Sequence, residues 1–456
     1  TVREIVEALK GVGPEDGGER SLAQVVTRIA SAVSGAALRF DLTDGRGARA
    51  LSDEIALAMA SQRMAFNSPV WFNAGLHEAY GITSVGGGSW AWDPVCGRAV
   101  EAEDAYRNPQ CSACFILSVE DSLESIFEVA KNEARIFKFG SGSGVSVSSL
   151  RGAGEPLRGG GVSSGTLSWL RLWDAGAGGI KSGGTTRRAA TMRVMGDRHP
   201  DVFEFVRWKA GEEDKIDVLV AGGYSNGIEG EAQRTVSGQN SNNSVRLSDD
   251  FMRAVEADGQ WQTLRVVDGK VAASFPARKL WRCILEAAHR CADPGVQFDD
   301  TINRWNTVPN TGRINATNPC SEFVFLDDTS CNLASLNLVS FYGAHDDSDL
   351  WSFDVPSFRH AVATTTVAME AIVDYASYPT RAIAERTHML RPLGIGYSNL
   401  GSLLMRMGLP YDSDAGRAVA AAVTSLMCAE AYATSARMAA VVGPFAAFAA
   451  NRGPML

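Results

Sequence analysis

Arg313-Ile314-Asn315-Ala316-Thr317-Asn318-Pro319-Cys320-Ser321-Glu322, with Cys331-Asn332-Leu333-Ala334-Ser335-Leu336-Asn337 further on, is the stretch on which the reading of this chain turns. If the segment is extended, an amide, a thiol and a carboxylate at i, i+2 and i+4 point the same way, and Asn318, Cys320 and Glu322 would meet one small substrate. Pro319 favours an extended Asn318, because its ring restricts the preceding residue to β-like angles. The competing reading of the same residues is a buried turn with a satisfied asparagine.

The surrounding composition narrows the classes. The chain has 456 residues, 45% of them hydrophobic and 21% charged, with 46 glycines, which describes a globular protein of two to three domains or one large decorated α/β barrel. Forty-three basic against 52 acidic side chains give a net charge of −9, which argues against duplex binding. A few backbone N–H groups and one or two arginines still suffice to hold a small anion. The sequence contains no apolar run of membrane-spanning length and no cationic, hydrophobic leader, so a cytoplasmic protein without membrane contact is expected. Eight cysteines in so long a chain point to reduced thiols rather than a disulfide framework.

Working outward, residues 1–80 read as a helical N-terminal layer, with helices over Val2–Leu9, Leu22–Val33 and Ser52–Met64. Residues 81–110 read as a linker with a loop at 85–92, and the main body, 111–456, starts near Cys111. After a strand-like Cys114–Val119, Asp121-Ser122-Leu123-Glu124 resembles a capping box opening a helix to Lys138, with Gly140 at its C-terminal end. A second helix is predicted over Thr166–Ala177. The apolar faces of these two helices suit core burial or pairing with a second copy. Strands are predicted at 145–149, 189–194, 217–221 and 245–247, alternating with helices as in a β/α barrel or doubly wound sheet.

Familiar signatures fail on inspection. Gly176–Ser182 lacks the G-K-[ST] ending of a phosphate loop, because Ile180 separates Gly179 from Lys181, and Gly394-Ile395-Gly396 is followed by Asn399 where a dinucleotide fingerprint needs glycine. Asp197-Arg198-His199 begins a corrinoid-type axial histidine pattern but has Val202 in place of its glycine, so His199 reads as a surface residue. The six histidines form no metal motif, and no metal site is readable. Cys111-Ser112-Ala113-Cys114 could form a disulfide or half a zinc site. No second C-x-x-C completes it, and redox use and inert burial remain equal readings.

The run Arg313–Glu322 and the step of eleven residues from Cys320 to Cys331 resemble the active-site finger loop of ribonucleotide reductases, and the adenosylcobalamin-dependent class more than the class that takes its radical from a partner protein. Phe66–Gly75, Cys111–Ser122, Gly140–Gly161 and Lys181–Met192 match as well. The resemblance implies the family's ten-stranded α/β barrel, incomplete at its C-terminus, behind a helical N-terminal layer. It implies a ribonucleoside diphosphate substrate, with Cys320 as the thiyl formed from adenosylcobalamin. Glu322 is then the base toward the 3′-OH, Asn318 orients the substrate, and Cys114 and Cys331 are the thiol pair oxidised to a disulfide, which a thioredoxin- or glutaredoxin-type protein reduces. Asn67, Ser68, Ser112 and Ala113 are implied to contact substrate, and Cys111 is taken as a bystander thiol. A dNTP or ATP effector is implied at Asp121, Ser122 and Arg158, with Arg187 and Arg188 linking it to the substrate base. A homodimer through helices near 121–138 and 166–178 is also implied. Only 136 residues follow Cys320, so a further C-terminal part, on a separate fragment or in a longer chain, is expected. Two other readings stay open: the large subunit of a reductase using a partner's radical, and a non-catalytic deoxynucleotide-binding module.

Overall fold

The computed structural model describes residues 18–85, 87–180, 189–227, 230–344 and 351–456. The helix expected over Val2–Leu9, and with it Arg187 and Arg188, lie outside them. The chain forms two compact units, one of residues through Ala113 with Ser330–Phe448, the other of Cys114–Thr329 with Ala449–Leu456.

The first unit opens with α1 (Leu22–Arg39) and α2 (Gly45–Ala60). Ser21 and Gln24 close a reciprocal capping box on α1, and Asp44 caps α2 through the Gly47 N–H. Val26, Ile29, Val33 and Ala37 form the buried stripe of α1. Strand β1 (Met64–Phe66) follows, then a hairpin of β2 (Trp90–Asp93) and β3 (Arg98–Glu101). Residues 81–110 are therefore not a bare linker. The alternation Trp90, Trp92 against Ala91, Asp93 is that of a strand, which the glycine run at 86–88 just before it masked.

The second unit carries β4 (Cys114–Leu117), α3 (Leu123–Lys138), β5 (Gly142–Ser146), α4 (Thr166–Gly178), β6 (Thr191–Gly196), α5 (Val202–Ala221) and β7 (Ser241–Leu247). After these come α6 (Ala277–Cys291), β8 (Gly295–Phe298), and a short hairpin of β9 (Ala316–Thr317) and β10 (Val324–Phe325). Strands β4, β5, β6, β7 and β8 pair in that order, all parallel. Helices connect them, as parallel pairing requires. The fold is α/β, as the alternation predicts, with a helical N-terminal layer.

The chain returns to the first unit through β11 (Thr329–Asn337), flanked by antiparallel β1 and parallel β13 (Leu393–Ser398). Helix α7 (Val355–Tyr375) packs against α1 and against α9 (Asp414–Val442); between α7 and β13 run β12 (Ser377–Tyr378), paired with β2, and α8 (Arg381–Leu390).

Three sequence readings are corrected in the second unit. The strand expected at 217–221 is the last turn and a half of α5: its apolar run packs Ile216, Leu219 and Val220 on Ala232 and Val236, and tertiary burial overrides the β-branched propensity. The N-cap of α3 is Ser122, which accepts from the Ser125 N–H, and Asp121 turns to Arg151 instead. His199 is buried rather than at the surface. Its Nε2–H donates to the Leu150 carbonyl at 2.7 Å, and its Nδ1 accepts the Asp201 N–H at 3.1 Å, an arrangement that needs the neutral ring.

Burial holds the His199 imidazole below its ordinary range, against the opposing pull of the Leu150 carbonyl, Asp201 and Glu155. The unfolded chain therefore takes up this proton near about pH 6.5 while the folded chain resists it, so the stabilisation is present above that pH and is lost as pH falls further. Resistance of the chain to urea is expected to fall between neutral and mildly acidic pH, and His199→Gln is expected to show a shallower decline. Parallel pH dependences would refute this.

Candidate active site

The segment Asn318–Phe323 is the tip of the β9–β10 hairpin, in which Ala316 pairs with Phe325 and Thr317 with Val324. The Asn318 N–H donates to the Phe323 carbonyl, the Ser321 N–H to the Asn318 carbonyl, and the Phe323 N–H to Asn318 Oδ1 at 2.9 Å. Ser321 takes a left-handed conformation, φ +65°. The extended reading of these residues is thus wrong for the backbone, and the turn with a satisfied asparagine is right. Pro319 has only one neighbour it restricts, and the three-residue turn after it brings the chain round.

That turn lies across the second unit's sheet, and every strand of the sheet contributes. Gly142 and Gly144 of β5 face it. A Cβ on Gly144 would sit 1.7 Å from the Thr317 carbonyl oxygen, and one on Gly142 would sit 2.7 Å from Pro319 Cγ. The glycines of Gly140–Gly144 therefore serve close backbone approach. Asn242 of β7 donates to the Pro319 carbonyl at 2.9 Å, and Gln297 of β8 to Thr317 Oγ1 at 3.1 Å. Arg246 of β7, buried, donates to the Ile314 carbonyl while paired with Asp299 and Gln297. Among these fixed donors, Arg246 and Gln297 are residues that the sequence reading passed over. Their signal was the polar alternation of Asn242, Ser244 and Arg246 along a buried strand, which marks a face that hydrogen-bonds rather than packs.

Cys114, paired in register with Gly142, is on the same face. The Asn318 Nδ2 donates to its sulfur at 3.0 Å, and the Cys114 thiol donates to Glu322 Oε1 at 3.4 Å. Asn318, Glu322 and Cys114 are thus brought together although the segment is not extended. The Cys114 thiol is buried, whereas Cys320, between Asn318 and Glu322 at the tip, is exposed. The arrangement holds one thiol sheltered beside a carboxylate and an amide, and a second open at the rim of the same turn.

The first unit places the remaining predicted residues. Cys331 is buried on β11, its Sγ against Gly394 of β13, where a Cβ would approach to 3.1 Å. The Ala113 N–H donates to the Cys331 carbonyl. Ser112 is buried and faces Ser330 Oγ at 3.1 Å, and the Ser330 N–H donates to Thr387 Oγ1. Asn67 donates to the Cys111 carbonyl at 2.7 Å and accepts from the Leu333 N–H at 2.9 Å, which ties β1 to the strand bearing Cys331; Ser68 opens the helical turn after it. Cys111 is fully buried, and desolvation, reinforced by Glu78, pushes its thiol well above the ordinary range, so it stays protonated and inert.

Asp121 pairs with Arg151 and accepts its backbone N–H as well, and Arg151 also reaches the Pro156 carbonyl. Ser122 is the cap of α3, and Arg158 is exposed on the glycine-rich loop. Glu155, buried, accepts from the N–H groups of Gly152, Val266 and Val267 and fixes that loop. No group of three or more metal-ligating side chains occurs among the described residues.

The family model "ribonucleotide reductase, barrel domain" matches residues 112–454. The chain belongs to the ribonucleotide reductase family. It is 47% identical over 445 residues to the vitamin B12-dependent ribonucleotide reductase of Rhodopirellula baltica, covering 97% of this chain and 42% of that protein. It is 45% identical to the protein of the same description from Agrobacterium fabrum, covering 90% of this chain and 37% of that one. It is 35% identical to a vitamin B12-dependent ribonucleoside-diphosphate reductase of Mycobacterium tuberculosis, over 75% of this chain and 44% of that one. The chain thus spans about two fifths of the length of the curated relatives it matches. The reductase barrel match includes the hairpin, the five parallel strands beneath it and Cys331. No helix among the described residues is long and apolar enough to cross a membrane.

Two glycine substitutions in the second unit separate close approach from ordinary propensity. Gly144→Ala is expected to lower stability by about 1–3 kcal/mol through overpacking against Thr317. Gly211→Ala, in the interior of α5 with open space at its Cβ, is expected to raise it by about 0.5–1 kcal/mol. Urea midpoints that move in the same direction would contradict the hairpin's placement.

Proposed function

We propose that this chain supplies the catalytic thiols of a ribonucleotide reductase, and that Cys114 beside Asn318 and Glu322 is the observation that carries the reading. A sheltered thiol next to a carboxylate can release a proton and an electron to a substrate and end in a disulfide. An exposed thiol at the adjoining tip is open to a hydrogen-abstracting group.

In this proposal the Cys320 thiyl takes the hydrogen atom from C3′ of the ribose, forming S–H and leaving a carbon radical. Glu322 accepts the 3′-OH proton, and the 2′-OH leaves as water on receiving a proton from the thiol pair. Cys114 and Cys331 provide the two electrons and become a disulfide, their second proton completes the new C2′–H bond, Glu322 returns its proton to the 3′ oxygen, and Cys320 returns its hydrogen atom to C3′. Asn318 orients the substrate. The product is a 2′-deoxyribonucleotide, and a thioredoxin- or glutaredoxin-type dithiol restores the pair. Asn67, Ser68, Ser112 and Ala113 are assigned to the substrate's binding turn, and a diphosphate substrate is favoured by the description of the mycobacterial relatives.

The relatives are described as vitamin B12-dependent. The residues present suit adenosylcobalamin: Cys320 is exposed at a turn whose flanking Pro319 is packed away, so a bulky group can reach the sulfur. When bound, adenosylcobalamin supplies a carbon radical able to take the thiol hydrogen. The chain's part is to hold residues 319–321 in place.

A dNTP or ATP effector is assigned to the start of α3, at Asp121 and Ser122, with Arg158 for its phosphates and Arg187 and Arg188 for communication to the base. The homodimer assigned to α3 and α4 is supported by the exposed Leu123 and Phe127, one turn apart on α3, while Ile126, Val129 and Ile136 are buried. The cytoplasm is the proposed compartment.

The test uses a protein carrying these residues together with the remaining length of its relatives. Anaerobic exchange of tritium between the 5′ carbon of adenosylcobalamin and water is expected with the parent, with Cys114→Ser and with Cys331→Ser, and not with Cys320→Ser. Exchange that survives Cys320→Ser would end the assignment, and ribonucleotide reduction only after addition of a radical-bearing partner protein would select the other class. Phe127→Glu is expected to convert a dimer to a monomer in sedimentation, and an unchanged dimer would remove α3 from the interface.

A further inference from the structure

Behind the hairpin lies a buried ion pair that the proposed chemistry does not use. Glu133 of α3 and Arg193 of β6 have side chains only 2% and 1% exposed, joined by two parallel hydrogen bonds of 2.8 and 2.9 Å. Ser143 of β5 donates to the same carboxylate at 2.7 Å. The Arg193 guanidinium also lies over the Trp173 ring of α4, 4.7 Å from its centre, and the Trp173 indole N–H donates to the Ile126 carbonyl of α3. The ion pair therefore ties together two helices and two strands.

A buried ion pair repays little net stability, because desolvating both charges offsets their attraction, but its bidentate geometry fixes position. Its place in the fold gives that geometry a consequence. Side chains alternate across a strand, so Ser143 points to the helices while its neighbours Gly142 and Gly144 face the hairpin. Pulling Ser143 toward Glu133 sets the height of β5, and Gly144 carries the Thr317 carbonyl at a separation with no slack. The Pro319 ring rests on Gly142 in the same way.

We propose that Glu133, through Ser143 and with Arg193 holding its carboxylate, is a positioning residue for Cys320: the network on the helix side of β5 fixes the level at which the hairpin tip stands on the other side. The proposal deepens the functional reading above as regards reaction, but its geometry holds without turnover, and the test is arranged accordingly.

Ser143→Ala removes the tether and leaves the ion pair intact, so the chain is expected to fold. Alkylation of Cys320 by iodoacetamide, quantified by peptide mass spectrometry against the exposed Cys96 and Cys428 as internal standards, is expected to change by about fivefold or more, as loss of one charge-assisted hydrogen bond loosens the turn. Glu133→Gln is expected to do the same. If Glu133→Gln does not fold, Ser143→Ala decides alone. A Cys320 rate equal to the parent's, with Ser143→Ala folded by circular dichroism, overturns the proposal even if its urea midpoint falls, since that is what a purely structural role gives. In the complete enzyme the variant is expected to lower kcat with KM unchanged. A labelling change in Ser143→Ala, together with a complete parent enzyme that performs no reduction, would sink the reductase reading and leave the positioning role standing.

Discussion

The second unit is organised by a requirement for empty space. At Gly142 and Gly144 a strand must present no side chain, because the backbone of another segment occupies the place where a Cβ would be. A parallel strand normally buries branched apolar residues on both faces. Here one face is given over to glycine and, on the neighbouring strands, to Asn242, Arg246 and Gln297, which satisfy the carbonyls and hydroxyl of the segment lying on them. The opposite face carries Phe115, Val145, Met195, Val245 and Leu247 in the core, beside the buried Arg193–Glu133 pair.

This division of faces explains how a hairpin with only two paired residues per strand is held. Such a hairpin is not stable by itself. Its order comes from the sheet below and from Asn318, whose amide oxygen closes the turn while its nitrogen reaches Cys114. Because the same asparagine serves both contacts, turn geometry and thiol environment are set together. The two thiols then differ in kind: Cys114 is enclosed and hydrogen-bonded, Cys320 exposed. Cys111, three residues from Cys114, is held protonated by burial, so the C-x-x-C spacing unites an inert thiol with one in a polar site.

The first unit shows a related economy with hydroxyls and amides. Ser112, Ser330 and Thr387 satisfy one another where β11 begins, and Asn67 completes the backbone pairing of Leu333. Buried polar groups of this sort are costly unless every one is paired. Here they keep the strand bearing Cys331 in register without adding bulk next to the sulfur, where Gly394 leaves contact distance only.

The order of residues along the chain was enough to establish the α/β class, the helices at 123–138 and 166–178, the N-terminal helical layer, and the family through Asn318, Cys320, Glu322, Cys114 and Cys331. These are properties of periodicity, capping and motif, which are local. Sequence misjudged the last turns of α5, the hairpin within 81–110, the burial of His199 and the shape of Asn318–Phe323. Each of these depends on what lies against the segment: Ala232 and Val236 under α5, the Leu150 carbonyl at His199, the glycine face beneath the hairpin. Spacing can say that an amide, a thiol and a carboxylate are close in the chain. Only tertiary structure decides that a turn, seated where two glycines leave room, aims the amide and the carboxylate at a different cysteine two hundred residues earlier, because that contact is made by packing between segments with no local signature.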